Sequence, residues 1–232
     1  MFERNTRRMR TVLPAYALEV GTEPLVRPAR NSVGGWPFLD QAQDWPQCFC
    51  GERMALFFQF DIPWNLESFG GDHLLVFHCR AHNDASDPQL ADGRLVPKYW
   101  DAPQPPYPAP FWRVMIQSPA ALPAPEAEPS LCALPLALRP FVDTPVGAQT
   151  FKVGGTPSWA QDPEYYRCAC GADLVYVCQV PEGRDFAVHP GQPEQPYSVR
   201  ADTYWLFLGN EVYLLACPAR CDPAAIWPVN QH

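Results

Sequence analysis

The chain has 232 residues and a hydrophobic share of 47%, enough for a sizeable core and against disorder throughout. Its formal net charge is −8, and the first ten residues, with Arg4, Arg7, Arg8 and Arg10 against Glu3, are +3, so the remainder carries −11. An acidic body repels phosphate backbones, which argues against direct nucleic-acid binding and is compatible with a basic partner. No run of about 18 apolar residues is present, so no transmembrane helix is expected. The arginine-rich start lacks the apolar run of a secretory signal, so a cytoplasmic location is expected.

Residues 1–30 form an N-terminal segment in which prolines 14, 24 and 28 leave room for a short helix at most. A first unit follows over 31–96. It opens on VGGWPFLDQAQDWPQCFCGERMALFFQ, from Val33 to Gln59, and the same motif returns as VGGTPSWAQDPEYYRCACGADLVYVCQ, from Val153 to Gln179. The offset is 120 throughout, without a gap. Nine positions of the windows 31–59 and 151–179 are identical: the valine, both paired glycines, a proline, a glutamine, both cysteines, the next glycine and the final glutamine. Chance would give roughly two. The chain therefore reads as internally duplicated.

Within each copy, Gly-Gly-x-Pro is turn chemistry, and Met54–Phe60 and Leu174–Val180 read as buried strands. Each copy continues to a second strand ending in cysteine, HLLVFHC at Cys79 and EVYLLAC at Cys217. In the second copy, YWLFLGNEVYLLAC reads as a β-hairpin turning at Gly209-Asn210. Between the copies lies a proline-rich connector, 97–150, with 13 prolines over 97–147. FWRVMIQ (111–117) can be a strand within it, and 119–131 reads as an exposed linker or strap. The second unit spans 151–232. The expected fold is α+β and predominantly β: two small antiparallel sheet units related by a pseudo-twofold and joined into one compact domain.

Nine cysteines in a cytosolic protein point to thiols or metal ligands rather than disulfides. Cys168-x-Cys170 with Cys217-x3-Cys221 is a four-ligand set in two close pairs, as tetrahedral zinc requires. Cys48-x-Cys50 with Cys79-x2-His82 is the matching set in the first copy. The alternative is that these are buried reduced thiols packing as small hydrophobes. Zinc is the one candidate cofactor. Cys178, mid-strand, reads as core, and Cys132 as bland.

No histidine sits in a recognisable catalytic motif, and the common nucleotide-binding and hydrolase signatures are absent. Asp84, Asp87 and Asp92 form an acidic run whose plainest reading is a solvated loop. Of the eight tryptophans, Trp64, Trp100 and Trp112 lie in proline-rich surroundings suited to a protein interface.

KVGGTPSWAQ followed by CACGADLVYVCQV, with a late strand ending in cysteine, resembles the YwqG-like family of bacterial proteins (domain of unknown function 1963). The same stretch looks like the amino-terminal half of the eukaryotic programmed-cell-death protein two, which works through protein contacts. The first resemblance implies an immunity protein that binds and occludes a secreted toxin, a basic nuclease being the expected type; a monomer is expected. An acidic inhibitor gains association rate against such a target. The second implies a zinc-stabilised adaptor or chaperone-like module. An enzyme ranks last. Asp84, Asp87, Asp92 and Trp100, in a loop where the copies diverge, are the expected partner contacts.

Overall fold

The computed structural model describes residues 13–41, 43–143 and 150–232. Ten strands build one antiparallel sheet: β1 (Ala15–Val20), β2 (Ser32–Val33), β3 (Ala55–Asp61), β4 (His73–His78), β5 (Trp112–Gln117), β6 (Leu134–Phe141), β7 (Lys152–Gly154), β8 (Val175–Val180), β9 (Glu211–Ala216) and β10 (Ile226–Gln231). Their spatial order is β10-β9-β8-β7-β1-β6-β2-β3-β4-β5. The sheet is nearly closed. Its edge strands β5 and β10 face each other across the core, with the Trp112 and Trp227 rings 5.8 Å apart. The Ile116 N–H donates to the Pro223 carbonyl at 2.9 Å, just before β10 begins. Strands β3, β4 and β9 are buried along nearly their whole length, which is why ALFFQF and HLLVFH read as continuous apolar runs instead of alternating ones.

Several expectations are corrected. Among the described residues there is no α-helix, only a single 3-10 turn at Phe207–Gly209, so the α component of the expected fold is not found. Residues 15–20 are strand β1. The sheet is one, not two small ones, because β1 pairs with β7 and with β6, and β6 pairs with β2. The N-terminal segment and the connector thus supply the two central strands. Proline does not keep β6 out of the centre. Pro135 offers its carbonyl to the Gly21 N–H just past the end of β1 (2.8 Å). Pro140 aims its missing donor to the side where β2 has already ended, since β2 pairs only with Leu134 and Pro135. The hairpin at Gly209-Asn210 does not form. Thr203–Tyr204 pairs with Phe186–Ala187, and Phe207, Leu208 and Gly209 all turn with positive φ.

The two motifs make the same bonds. β3 pairs with β4 through a register slip between Leu56 and Phe58, and β8 with β9 through one between Tyr176 and Cys178. The Leu18 N–H donates to the Phe151 carbonyl as the Leu136 N–H does to that of Asn31. The Cys79 N–H reaches the Phe111 carbonyl, and the Cys217 N–H that of Ala225.

At the end of β3, Arg30 grips Asp61 through Nε and Nη2 (2.8 and 2.7 Å), and His73 Nδ1 donates to the same carboxylate at 2.9 Å. Burial works against the Asp61 charge, but the His73 and Arg30 hydrogen bonds outweigh it and hold its pKa at about 2. Burial lowers the pKa of His73 as well. Both groups bind fewer protons folded than unfolded, so both stabilise at neutral pH and lose that contribution as pH falls. The melting temperature should therefore decline once pH drops below about 6.5, and again between about 4 and 2. Asp61→Asn should melt lower at pH 7 and show a shallower second decline. An acid branch identical to that of the parent chain would refute the assignment.

Candidate metal centres

Each Cys-x-Cys-Gly segment, 48–51 and 168–171, forms a knuckle, a tight β-turn set between a short bridge and a long strand. Gln47 bridges Arg53, and Arg167 bridges Asp173. Inside the bridge the Cys48 N–H donates to the Glu52 carbonyl (2.9 Å), and the Cys168 N–H to that of Ala172 (2.8 Å). The turn closes at Gly51 and Gly171, with φ of +87° and +98°. A side chain at Gly51 would meet nothing within 4 Å, so it is the backbone angle that requires glycine there. This turn aims both thiols of each Cys-x-Cys the same way. The second pair comes from the end of β4 (Cys79, His82) or of β9 (Cys217, Cys221).

The structure brings together both sets read from the sequence. Cys48, Cys50, Cys79 and His82 form one cluster, and Cys168, Cys170, Cys217 and Cys221 the other; in each, all ligand atoms lie within 4.8 Å of one another. In the first, His82 Nδ1 stands 3.6 Å from Cys48 Sγ and 3.5 Å from Cys79 Sγ, and Cys50 Sγ is 3.8 Å from Cys79 Sγ. In the second, Cys168–Cys221 and Cys170–Cys217 are 3.5 Å apart, and Cys217–Cys221 3.6 Å. A disulfide would need about 2.05 Å. A tetrahedron of sulfurs at the zinc–thiolate distance of about 2.3 Å has edges of roughly 3.8 Å. Both clusters can hold a metal ion with small adjustments.

Their surroundings differ. The His82 ring lies 4.4 Å from Phe49 and 5.5 Å from Tyr107, so aromatic packing fixes the imidazole with Nδ1 toward the sulfurs. At the second cluster, the Tyr99 hydroxyl is buried beside Cys168, Cys217 and Cys221, and burial foremost raises its pKa. A phenol so placed is a donor for thiolate sulfur. The Ala172 backbone N–H, the largest influence on Cys170, draws that thiol down to about 7, whereas burial pushes Cys168 up. One sulfur of this set is thus readily ionised, and a bound cation would favour the thiolates of Cys168 and Cys221, whose pKa values burial raises.

Compared with known proteins, the chain matches no family model and no curated protein.

The remaining candidates are scattered. Asp84 accepts the Ala85 N–H (2.9 Å) and the Tyr107 hydroxyl (3.1 Å), fixing the loop beside His82. Asp87 is exposed, and Asp92 caps the exposed turn between Leu90–Ala91 and Arg94–Leu95. Among the described residues they form no third metal-binding cluster. Trp64 is 86% exposed, Trp100 and Trp112 are buried, and Trp100 lines a groove on the protein surface. Cys178 is buried core, and half-buried Cys132 lies 3.9 Å from His189 Nδ1. Tyr99 and Tyr107, which pack against the clusters, were missed at the level of sequence; their one signal is that both fall in the loop between Cys79 and Phe111.

Proposed function

We propose that this protein is a zinc-stapled binding module without chemistry of its own, and that it sequesters a basic protein partner. One observation carries this reading: two four-ligand clusters whose spacing already matches tetrahedral zinc. A site with four protein ligands leaves no open position for substrate or activated water, which is the mark of a structural and not a catalytic zinc. The charge of −8 favours a basic partner by steering.

The resemblance to the YwqG-like family makes that partner a toxin and this chain its immunity protein, blocking the surface a nuclease offers to its substrate. The nine free thiols suit a reducing compartment such as the cytoplasm. No helix of the described residues is long and apolar enough to cross a membrane. The second reading, an adaptor or chaperone-like module, shares the zinc and the binding surface and differs in what is bound. We also propose that the halves arose by duplication of one five-stranded unit, β1–β5 repeated as β6–β10. This extends the repeat upstream of the Gly-Gly-x-Pro turns into the segments read as N-terminal extension and connector.

Elemental analysis of the purified chain should find two zinc ions. Co-expression with the product of the adjacent gene should restore growth and yield a complex that survives gel filtration. A fully folded, metal-free preparation would remove the zinc part. A neighbour that kills regardless and forms no complex would remove the immunity part.

A further inference from the structure

The outer flanks of the two knuckles match in backbone and differ in what lies on them. In each, the bridge uses the bonds of flanking residues, so the bridging residue, Gln47 or Arg167, turns its own N–H and carbonyl outward. At the second knuckle this outward edge is occupied by the chain itself. The Leu95 N–H donates to the Arg167 carbonyl at 2.8 Å, and the Tyr99 ring packs 6.2 Å from Trp227 of β10. The occupying stretch, 94–99, belongs to the long excursion between Cys79 and Phe111.

In the other half the same join, Cys217 to Ala225, is bridged by residues 218–224 alone. So short a turn flanks the first knuckle but does not cover it. What remains is an open groove of about 750 Å³ walled by Trp45, Gln47, Arg53, Arg113 and Met115, with Asp222 of the short turn on its far side. Among the described residues nothing donates to the Gln47 carbonyl. Asp40 and Asp44 also line the groove. Its two arginines are already engaged, Arg53 with Glu126 and Arg113 with Asp101, so the groove carries an excess of negative charge.

We propose that this groove binds an extended segment of the partner protein, as the second knuckle is bound by residues 94–99. The segment adds a backbone hydrogen bond at Gln47 in the manner of strand addition. It sets apolar side chains against Trp45 and Met115, and lysine or arginine against Asp40 and Asp44. This rests on the protein-binding reading above and names where and what that module binds.

The test uses the full zinc-loaded chain, isotope-labelled and titrated with the blocked peptide Lys-Leu-Lys-Trp-Lys-Leu-Lys. The Gln47 amide and Trp45 indole resonances should shift saturably. Asp40→Lys combined with Asp44→Lys should weaken binding by about tenfold or more, and Asp92→Lys, on the exposed turn, by less than about twofold. Saturation without a shift at Gln47, or equal affinity for parent and double variant, overturns the proposal. Gel filtration with the co-expressed partner separates the two readings. A complex unaffected by the double variant sinks the groove and leaves the binding module standing.

Discussion

On the structural-zinc reading, Cys217→Ser should lose the ion of the second cluster and abolish cooperative folding near body temperature. Cys217 is buried at the end of β9 and lies within 3.6 Å of both Cys170 and Cys221, so its loss removes a ligand from the middle of the second set. A structural zinc contributes on the order of 10–16 kcal/mol of apparent binding free energy at neutral pH, against a net stability of about 5–15 kcal/mol for a whole domain. Losing the ion therefore removes a contribution as large as the whole margin. The damage should not stay local. The two halves share one core and one sheet, so both should melt together. Cys178→Ala is the informative control. Its thiol is fully buried in β8 but belongs to neither cluster, so both ions should remain and the cost should be about 1 kcal/mol. Elemental analysis and melting with and without chelator decide the matter. A Cys217→Ser chain that keeps two ions, or a parent chain indifferent to chelator, would end the structural-zinc reading.

The metal sets were legible because local backbone chemistry fixes them. A Cys-x-Cys-Gly turn orients two sulfurs within four residues, and a strand ending in cysteine delivers the other pair. A shared offset of 120 then tells which pairs belong together. What was not legible depends on distant partners. Nothing in AYALEV announces that β1 will pair with β7 from the other half, or that β6 will tolerate Pro135, which still offers its carbonyl to Gly21 just past the end of β1, and Pro140, whose absent donor faces past the end of β2. The Gly209-Asn210 signal misled because hairpin chemistry presumes a strand on each side. The upstream apolar run instead turns inward, burying Phe207 against His78 (4.9 Å between ring centres). The groove at the first knuckle follows only once the loop lengths after Cys79 and Cys217 are set on the two matching joins.

Gln59→Ala should cost about 3 kcal/mol or more, a large price for an uncharged side chain in so hydrophobic a strand. This glutamine was visible only as a letter repeated at 179. In the fold it stitches β3 to the Gly-Gly-x-Pro turn. Its Oε1 accepts the Phe38 N–H at 3.0 Å, and its Nε2 donates to the Trp36 carbonyl at 2.7 Å and to Ser32 Oγ at 3.1 Å. Truncation leaves a buried N–H and a carbonyl unpaired, at about 1–3 kcal/mol each, and opens a void besides. Gln179 ties β8 to its own turn by accepting the Ser158 N–H at 2.9 Å, but it donates to the buried Glu211 carboxylate of β9, while Lys152 Nζ donates to the Thr156 carbonyl. The two glutamines share no partner, so Gln59→Ala and Gln179→Ala should add in urea titrations at unchanged m-value. Gln59→Glu sharpens the point. It keeps the size and the acceptor but sets a carboxylate oxygen against the Trp36 carbonyl, so it should be at least as damaging as alanine and partly recover at acid pH. A Gln59→Ala midpoint corresponding to less than about 0.5 kcal/mol, the range of ordinary surface changes, would show that the turn holds itself and the glutamine only fills space.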